Sequence, residues 1–240
     1  MIKEIKSRQN ELIKEVTKLN SSSYRKKAGI FKVEGFHMLE MALKTKVVTK
    51  VFSLEKIDEI DEKIPQYIVS KEVMEKITET KSPQGVVAIC NLLPNKTPKN
   101  NKVLYLDGVS DPGNLGTILR TALAFGFKDV VLSKECCSIY NDKVLQASQG
   151  SIFNLNISNE VDLVELKKKG YKILATEIKG SIDLESVKKP EKFILVLGNE
   201  AHGVSEDVLK IADQRIRIDI SDIESLNVAI AGAISMYHLK

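Results

Sequence analysis

The chain has 240 residues, 43% of them hydrophobic, and its 36 Lys and Arg against 32 Asp and Glu give a net charge of +4; this is enough for one large or two small cores. No stretch reaches the roughly 18 uninterrupted apolar residues of a membrane span, and the charged opening MIKEIKSRQN has no signal-peptide apolar run, so a cytoplasmic protein with no membrane partner is expected. Cys90, Cys136 and Cys137 form no C-x-x-C pair and the three histidines are scattered, which predicts incidental thiols and no metal site.

In chain order, residues 8–19 carry a helical period. GIFKVEG reads as a strand leading into the helix FHMLEMALK, VTKVFSL and QYIVS as strands, KEVMEKITE as a helix, and GVVAICNL as a further strand. The first fifty residues hold an excess of seven positive charges, leaving the remainder at −3. Such a basic N-terminal part suits a polyanion. LPNKTPKNN (93–101), rich in Pro, Asn and Lys, has linker composition. The expected division is residues 1–93, a linker 94–101, and residues 102–240.

Beyond the linker, short apolar runs alternate with helical patterns. KVLYLD (102–107), DVVLS (129–133), IFNLNIS (152–158), KILATEI (172–178), FILVLG (193–198) and RIRIDI (215–220) are the expected strands. Helices follow most of them, which predicts βαβ units and a parallel sheet. Within SDPGNLGTILRTALAFG (110–126), Pro112-Gly113 suits the centre of a type II turn, Asn114 an N-cap and Gly126 an αL residue closing the helix. Arg120 stands in this helix beside the apolar face of Leu115, Ile118, Leu119, Ala122 and Leu123.

Ligands of open parallel sheets bind beyond the carboxyl ends of the strands. Four loops there, GVSDPGNLG, KGS, NEAHGVS and SDIESLN, carry most of the Gly, Asn, Ser and Glu that interrupt the apolar pattern. Gly-rich loops let a ligand approach the backbone closely. No G-x-G-x-x-G or Walker loop is present, which argues against a nucleotide oxidoreductase. Capping accounts for Ser205 and offers a plain role for Ser225 and Asn227, and His202 reads as a turn residue. Glu200 between two glycines is left without a structural reason.

N-L-G-x-I-x-R-T-A, then L-G-N-E-x-x-G, then S-L-N-V-A-I-A, in this order, resemble the three motifs of the SpoU (TrmH-type) RNA ribose 2′-O-methyltransferases of the SPOUT class. The resemblance spans 102–239. More loosely, RQNELIKEVTKL and FKVEGFHMLEMAL resemble that family's small α/β substrate-binding domain, akin to certain ribosomal proteins. The resemblance implies a C-terminal parallel-sheet SPOUT domain with a deep trefoil knot and a small N-terminal α/β domain for RNA. It implies S-adenosylmethionine as cofactor, held by Gly198, Ile218 and Leu226 with Thr176 and Asn199. Asn114, Arg120, Glu200, Ser225 and Asn227 match its catalytic or active-site positions, and Arg120 would grip a phosphate or the developing alkoxide rather than act as a base. It further implies a homodimer and no metal.

Arg8, Arg25, Lys26 and Lys27 are the expected RNA contacts. Ribosomal RNA, of the large subunit, is favoured over tRNA as substrate. A catalytically silent ribosome-assembly protein is the competing reading, but such a protein would be expected to lose Arg120, Glu200 or Asn227. Gly198→Val is expected to block the cofactor by filling space that a bare backbone leaves open. IDISDIESLN lacks the Pro and Gly that many relatives carry in the third motif.

Overall fold

Amphipathic segments with caps at their starts build the N-terminal part. In the computed structural model, which describes residues 2–80, 82–159 and 161–240, this part comprises β1 (Ile2–Ile5), α1 (Glu11–Lys18), α2 (Ser22–Ala28), β2 (Ile30–Glu34), α3 (Phe36–Lys44), β3 (Val48–Ser53), β4 (Gln66–Val69), α4 (Lys71–Ile77) and β5 (Val86–Asn91). The side chains of Asn10 and Ser70 accept from the first-turn N–H groups of α1 and α4. The sheet order is β1-β4-β3-β5-β2, mixed in direction. Ile13 and Val16 of α1 and Val73, Met74 and Ile77 of α4 close over Phe52, Val87 and Ile89. The sequence pattern does not reveal β1, because three of its four residues are exposed on an edge strand.

The remaining elements are β6 (Lys102–Leu106), α5 (Pro112–Ala124), β7 (Asp129–Leu132), α6 (Asp142–Ser148), β8 (Asn156–Asn159), α7 (Leu163–Lys168), β9 (Lys172–Thr176), β10 (Ile182–Asp183), β11 (Phe193–Leu197), α8 (Glu206–Ile211), β12 (Gln214–Arg217) and α9 (Val228–His238). The seven strands among them form one sheet, order β10-β12-β9-β11-β6-β7-β8, parallel throughout. Contacts divide the chain into Met1–Leu93 with Tyr140–Phe153, and Pro94–Ile139 with Asn154–Lys240. Thus α6, with the short 3₁₀ turn Ser151–Phe153, belongs to the first unit. The strand expected over 152–158 accordingly begins only at Asn156.

Every residue of β11 is buried, as a strand covered on both faces requires. Ile194 and Val196 pack with Leu163 and Leu166 of α7 and with Val208 and Leu209 of α8. On the other face α9 lies so close to β11 that a Cβ at Gly232 would come within 2.6 Å of Leu197 Cδ1. Residues 94–101 are not a free tether. Asp129 is buried, and its Oδ2 accepts from the backbone N–H groups of Lys99 and Asn100, while Lys96 N donates to Ile157 O. The segment with linker composition is therefore pinned along the edge of the sheet, where its backbone groups find partners.

Candidate active site

From β6 the chain moves outward through β7 to β8, and the strands on the other side of β6 come later in sequence. The carboxyl ends of β6 and β11 therefore mark a topological switch point, where such sheets bind ligands. The loops after them face each other there. The helix after β6 begins one turn earlier than the sequence suggests. Pro112 takes the first helical position and Asp111 is the N-cap, its Oδ1 accepting from Asn114 N at 2.8 Å. Pro has no N–H to leave unpaired at that position, so a helix start outcompetes a type II turn. Asn114, expected as the cap, is instead inside the first turn with its amide free to reach across. Gly126 (φ 77°) ends the helix as expected.

Glu200 is what Asn114 reaches. Its Oε1 accepts from Asn114 Nδ2 (3.1 Å) and Asp111 N (3.0 Å), and its Oε2 from Ser110 N (3.2 Å) and Ser110 Oγ (3.1 Å). Burial pushes this carboxyl up, but the donors from Asn114, its own backbone, Ser110 and Asp111 outweigh burial and hold it below the usual range. Glu200 is thus a fixed anion that ties two loops together. Asn227 joins the same chain. Its Oδ1 accepts from Ala229 N and Ile230 N, capping α9, while its Nδ2 donates to Asn114 Oδ1 at 2.9 Å. One side chain both caps α9 and joins the network at the rim, so the plain capping role does not displace the second contact.

A cavity of about 970 Å³ opens beside this network. Asn114, Glu200, Ser225 and Asn227 line it, as do Thr176, Gly198, Asn199, Ile218 and Leu226. Several of these side chains are already engaged. Thr176 Oγ1 donates to Val196 O, and Asn199 Nδ2 donates to Gly108 O while its Oδ1 accepts from Ala201 N and His202 N. They shape the wall and leave backbone toward the cavity. Gly198 has a different reason from the one expected. A Cβ there would lie 2.1 Å from Gly203 C and 2.2 Å from Val204 N. It would strike the chain's own backbone before reaching the cavity.

Arg120 does not line the cavity; it is exposed on α5 and forms no ion pair among the described residues. Arg8, Lys26 and Lys27 are exposed on the first unit. Arg25 is not: it is 5% exposed, and its guanidinium donates to Leu19 O (2.7 Å) and Asn20 O (3.0 Å). Those carbonyls end α1 and have no helical partner, so Arg25 closes a helix and is not on the surface where an RNA contact was expected. Sequence reasoning missed Ser110 and Asp111 as holders of Glu200, and Ile178, Arg217 and Ile220 on the wall. The first two sat in the SDPGN stretch, where only a contact ninety residues away gives them a role. In the third-motif loop Asp222 adopts φ 63°, a region Asp enters more readily than most residues.

A parallel sheet with a polar-rimmed cavity at its switch point, framed by these loops, is the architecture of an α/β enzyme that takes a small ligand at the strand ends. The chain belongs to the SpoU rRNA methylase family, which it matches over residues 101–237, while residues 10–88 match the MRM3-like substrate binding domain. It is 35% identical over the full length of both chains to the 23S rRNA (guanosine(2553)-2′-O)-methyltransferase RlmP of Bacillus subtilis. It is 32% identical to an uncharacterized tRNA/rRNA methyltransferase of Synechocystis, covering 100% of this chain and 94% of that one. The AdoMet-bound rRNA methyltransferase of Sinorhizobium meliloti superposes with a TM-score of 0.90 at 26% identity, covering 99% and 97% of the two chains.

The cavity fits S-adenosylmethionine. Ile178, Ile218, Ile220 and Leu226 offer an apolar wall for a purine ring. Ser235, 1% exposed, contributes to the wall beneath them, and its buried hydroxyl has no hydrogen-bond partner among the described residues.

Proposed function

We propose that this protein methylates the ribose 2′-hydroxyl of a guanosine in 23S ribosomal RNA, the nucleotide corresponding to that of the RlmP relative. The observation that carries the reading is the Asn227–Asn114–Glu200 chain of hydrogen bonds at the rim of the cavity. When bound, S-adenosylmethionine supplies a methyl group activated by its sulfonium charge. The protein's part is to orient the two reactants and to stabilise the ribose oxygen as its proton leaves to solvent and the methyl group takes its place. Glu200 is saturated with donors and below the usual carboxylate range, so it organises the rim rather than taking the proton. Asn114 and Asn227 hold each other in place there.

Arg120 acts, in this reading, on the phosphate or alkoxide at the partner subunit's site in a homodimer. Support comes from α9, which packs beside α5 and leaves Ile230, Ile234 and Tyr237 exposed on one stripe. Contiguous apolar stripes of this kind pair with a second copy. The path from Gly198 to Asn227 is read as the family's trefoil knot; β12 lying between β9 and β10 supports it. No helix among the described residues is long and apolar enough to cross a membrane, and the enzyme is proposed to act on ribosomal RNA in the cytoplasm.

Mapping 2′-O-methyl groups in 23S rRNA from a strain lacking the gene tests the substrate: the expected result is loss of one guanosine methylation, restored by the intact gene. An unchanged 23S map with a lost tRNA methylation overturns it. Arg120→Ala should leave folding and S-adenosylmethionine binding intact while kcat and kcat/KM fall together, and Arg120→Lys should rescue little if a forked grip is needed. Full activity of Arg120→Ala refutes the role.

A further inference from the structure

The two ends of the parallel sheet carry opposite charge. Asp111, Glu177, Glu200 and Glu224 line the cavity at the carboxyl ends of the strands, with Arg217, which is itself paired to Asp183. At the amino ends, Lys102, Phe193 and Lys172 stand in register across β6, β11 and β9, with Lys192 immediately before β11 and Lys128 before β7. Lys169 follows α7, and Lys189 lies in the turn before β11. The chain runs down each helix to this end, so the turns collect these lysines from segments far apart in sequence.

Acidic partners are few. Asp213 is shared between Lys167 (3.4 Å) and Lys172 (3.3 Å). Among the described residues Lys102, Lys128, Lys169, Lys189 and Lys192 form no ion pair. Partial burial, and then the like charge of Lys189, hold Lys102 below the usual lysine range. Two of the ammonium groups rest on rings, Lys102 at 5.3 Å from the Phe127 centroid and Lys192 at 4.3 Å from that of Tyr171. Lys192 also donates to Lys169 O, and Lys189 to Lys240 O. Lys172 apart, these ammonium groups stand at the surface without an ion-pair partner among the described residues, and Glu191 is the acidic residue next to them in sequence.

We propose that this amino end of the sheet is a second docking surface for the phosphate backbone of the RNA substrate. It takes a segment other than the one bearing the target nucleotide, since a strand of five residues separates the two ends, roughly 15 Å. A polyanion brought to a cavity rimmed by carboxylates needs its anchoring charge elsewhere. This surface supplies it on the catalytic unit itself, in addition to the exposed lysines of the first unit. The proposal rests on RNA being the substrate.

The experiment measures affinity of the full chain for a 23S rRNA transcript as a function of salt, without methyl transfer, so it decides this surface even if the methylation reading fails. Lys128→Gln, Lys169→Gln and Lys189→Gln combined should make the plot of log affinity against log salt shallower by about 2 to 3, because each lost phosphate contact removes roughly 0.7 to 0.9. Melting temperature and S-adenosylmethionine binding should be unchanged, and the three arginine substitutions should restore the slope. As control, Lys134→Gln with Lys179→Gln removes two positive charges from the loops after β7 and β9 at the opposite end, and the effect is compared per charge removed. An unchanged slope in the first set overturns the proposal. So does equal flattening by both sets, which traces the effect to net charge, and so does a first set that loses affinity only for an acidic protein.

Discussion

Gly198→Ala adds one methyl group at the point where two backbone segments pass within contact. The new Cβ would lie 2.1 Å from Gly203 C, 2.2 Å from Val204 N and 2.4 Å from Gly203 O. Ordinary carbon contacts begin near 3.5 Å, so the Gly203–Val204 backbone must retreat by more than one ångström. That movement breaks the paired bonds Asn199 N→Gly203 O (2.8 Å) and Gly203 N→Asn199 O (2.9 Å). Two backbone hydrogen bonds at about 1 kcal/mol each, with about 1–3 kcal/mol for overpacking, give a loss of about 3–5 kcal/mol. A chain of this size loses roughly 2–4 °C of melting temperature per kcal/mol, so thermal unfolding should fall by roughly 10 °C. Gly203→Ala is the comparison. Its Cβ meets nothing within 4 Å, but its φ is +69°, so only the left-handed backbone costs energy, about 1–2 kcal/mol. The assay is thermal unfolding of both variants beside calorimetric titration with S-adenosylmethionine. A Gly198→Ala protein that melts within about 2 °C of the parent yet no longer binds cofactor would refute this reasoning. It would restore the simpler view that the glycine only leaves room for the ligand.

Arg25→Ala should destabilise by about 1–3 kcal/mol, because Leu19 O and Asn20 O lose their donor, and should leave the salt dependence of RNA affinity unchanged. Lys26→Gln with Lys27→Gln should do the reverse, flattening the salt slope with no change in melting temperature. The Glu200 carboxyl is held below its usual range, so its contribution to stability is complete above the ordinary glutamate value and is lost as pH falls through the lowered folded value. The melting temperatures of the parent and Glu200→Gln, compared from neutral to acidic pH, should differ most near neutrality and converge in acid; a gap that widens in acid contradicts this. Burial pushes the Cys90 thiol up to about 12, so Cys90 should label with a disulfide reagent only after denaturation, well behind Cys136 and Cys137. Prompt labelling of all three in the native protein would contradict the buried placement.

The alternation of apolar runs with helical periods, and the glycine- and asparagine-bearing loops between them, are local properties written in the order of residues. They sufficed for the parallel sheet and for the switch-point site, while the ten expected catalytic and cofactor positions came from the resemblance to the SpoU motifs, and nine of them line one cavity. The tertiary structure alone decided three further matters. Arg25 and Lys26 are adjacent and equally basic in sequence, and only packing against the end of α1 buries one and leaves the other exposed. Gly198 reads as a glycine kept for a ligand, and the reason for it lies in a backbone five residues on that folds back against it. Segment 140–153 has the composition of the sheet unit around it, and its contacts assign it to the other unit. In each case the deciding interaction joins groups that no sequence period relates, so its energy has no local signature and appears only when the chain closes on itself.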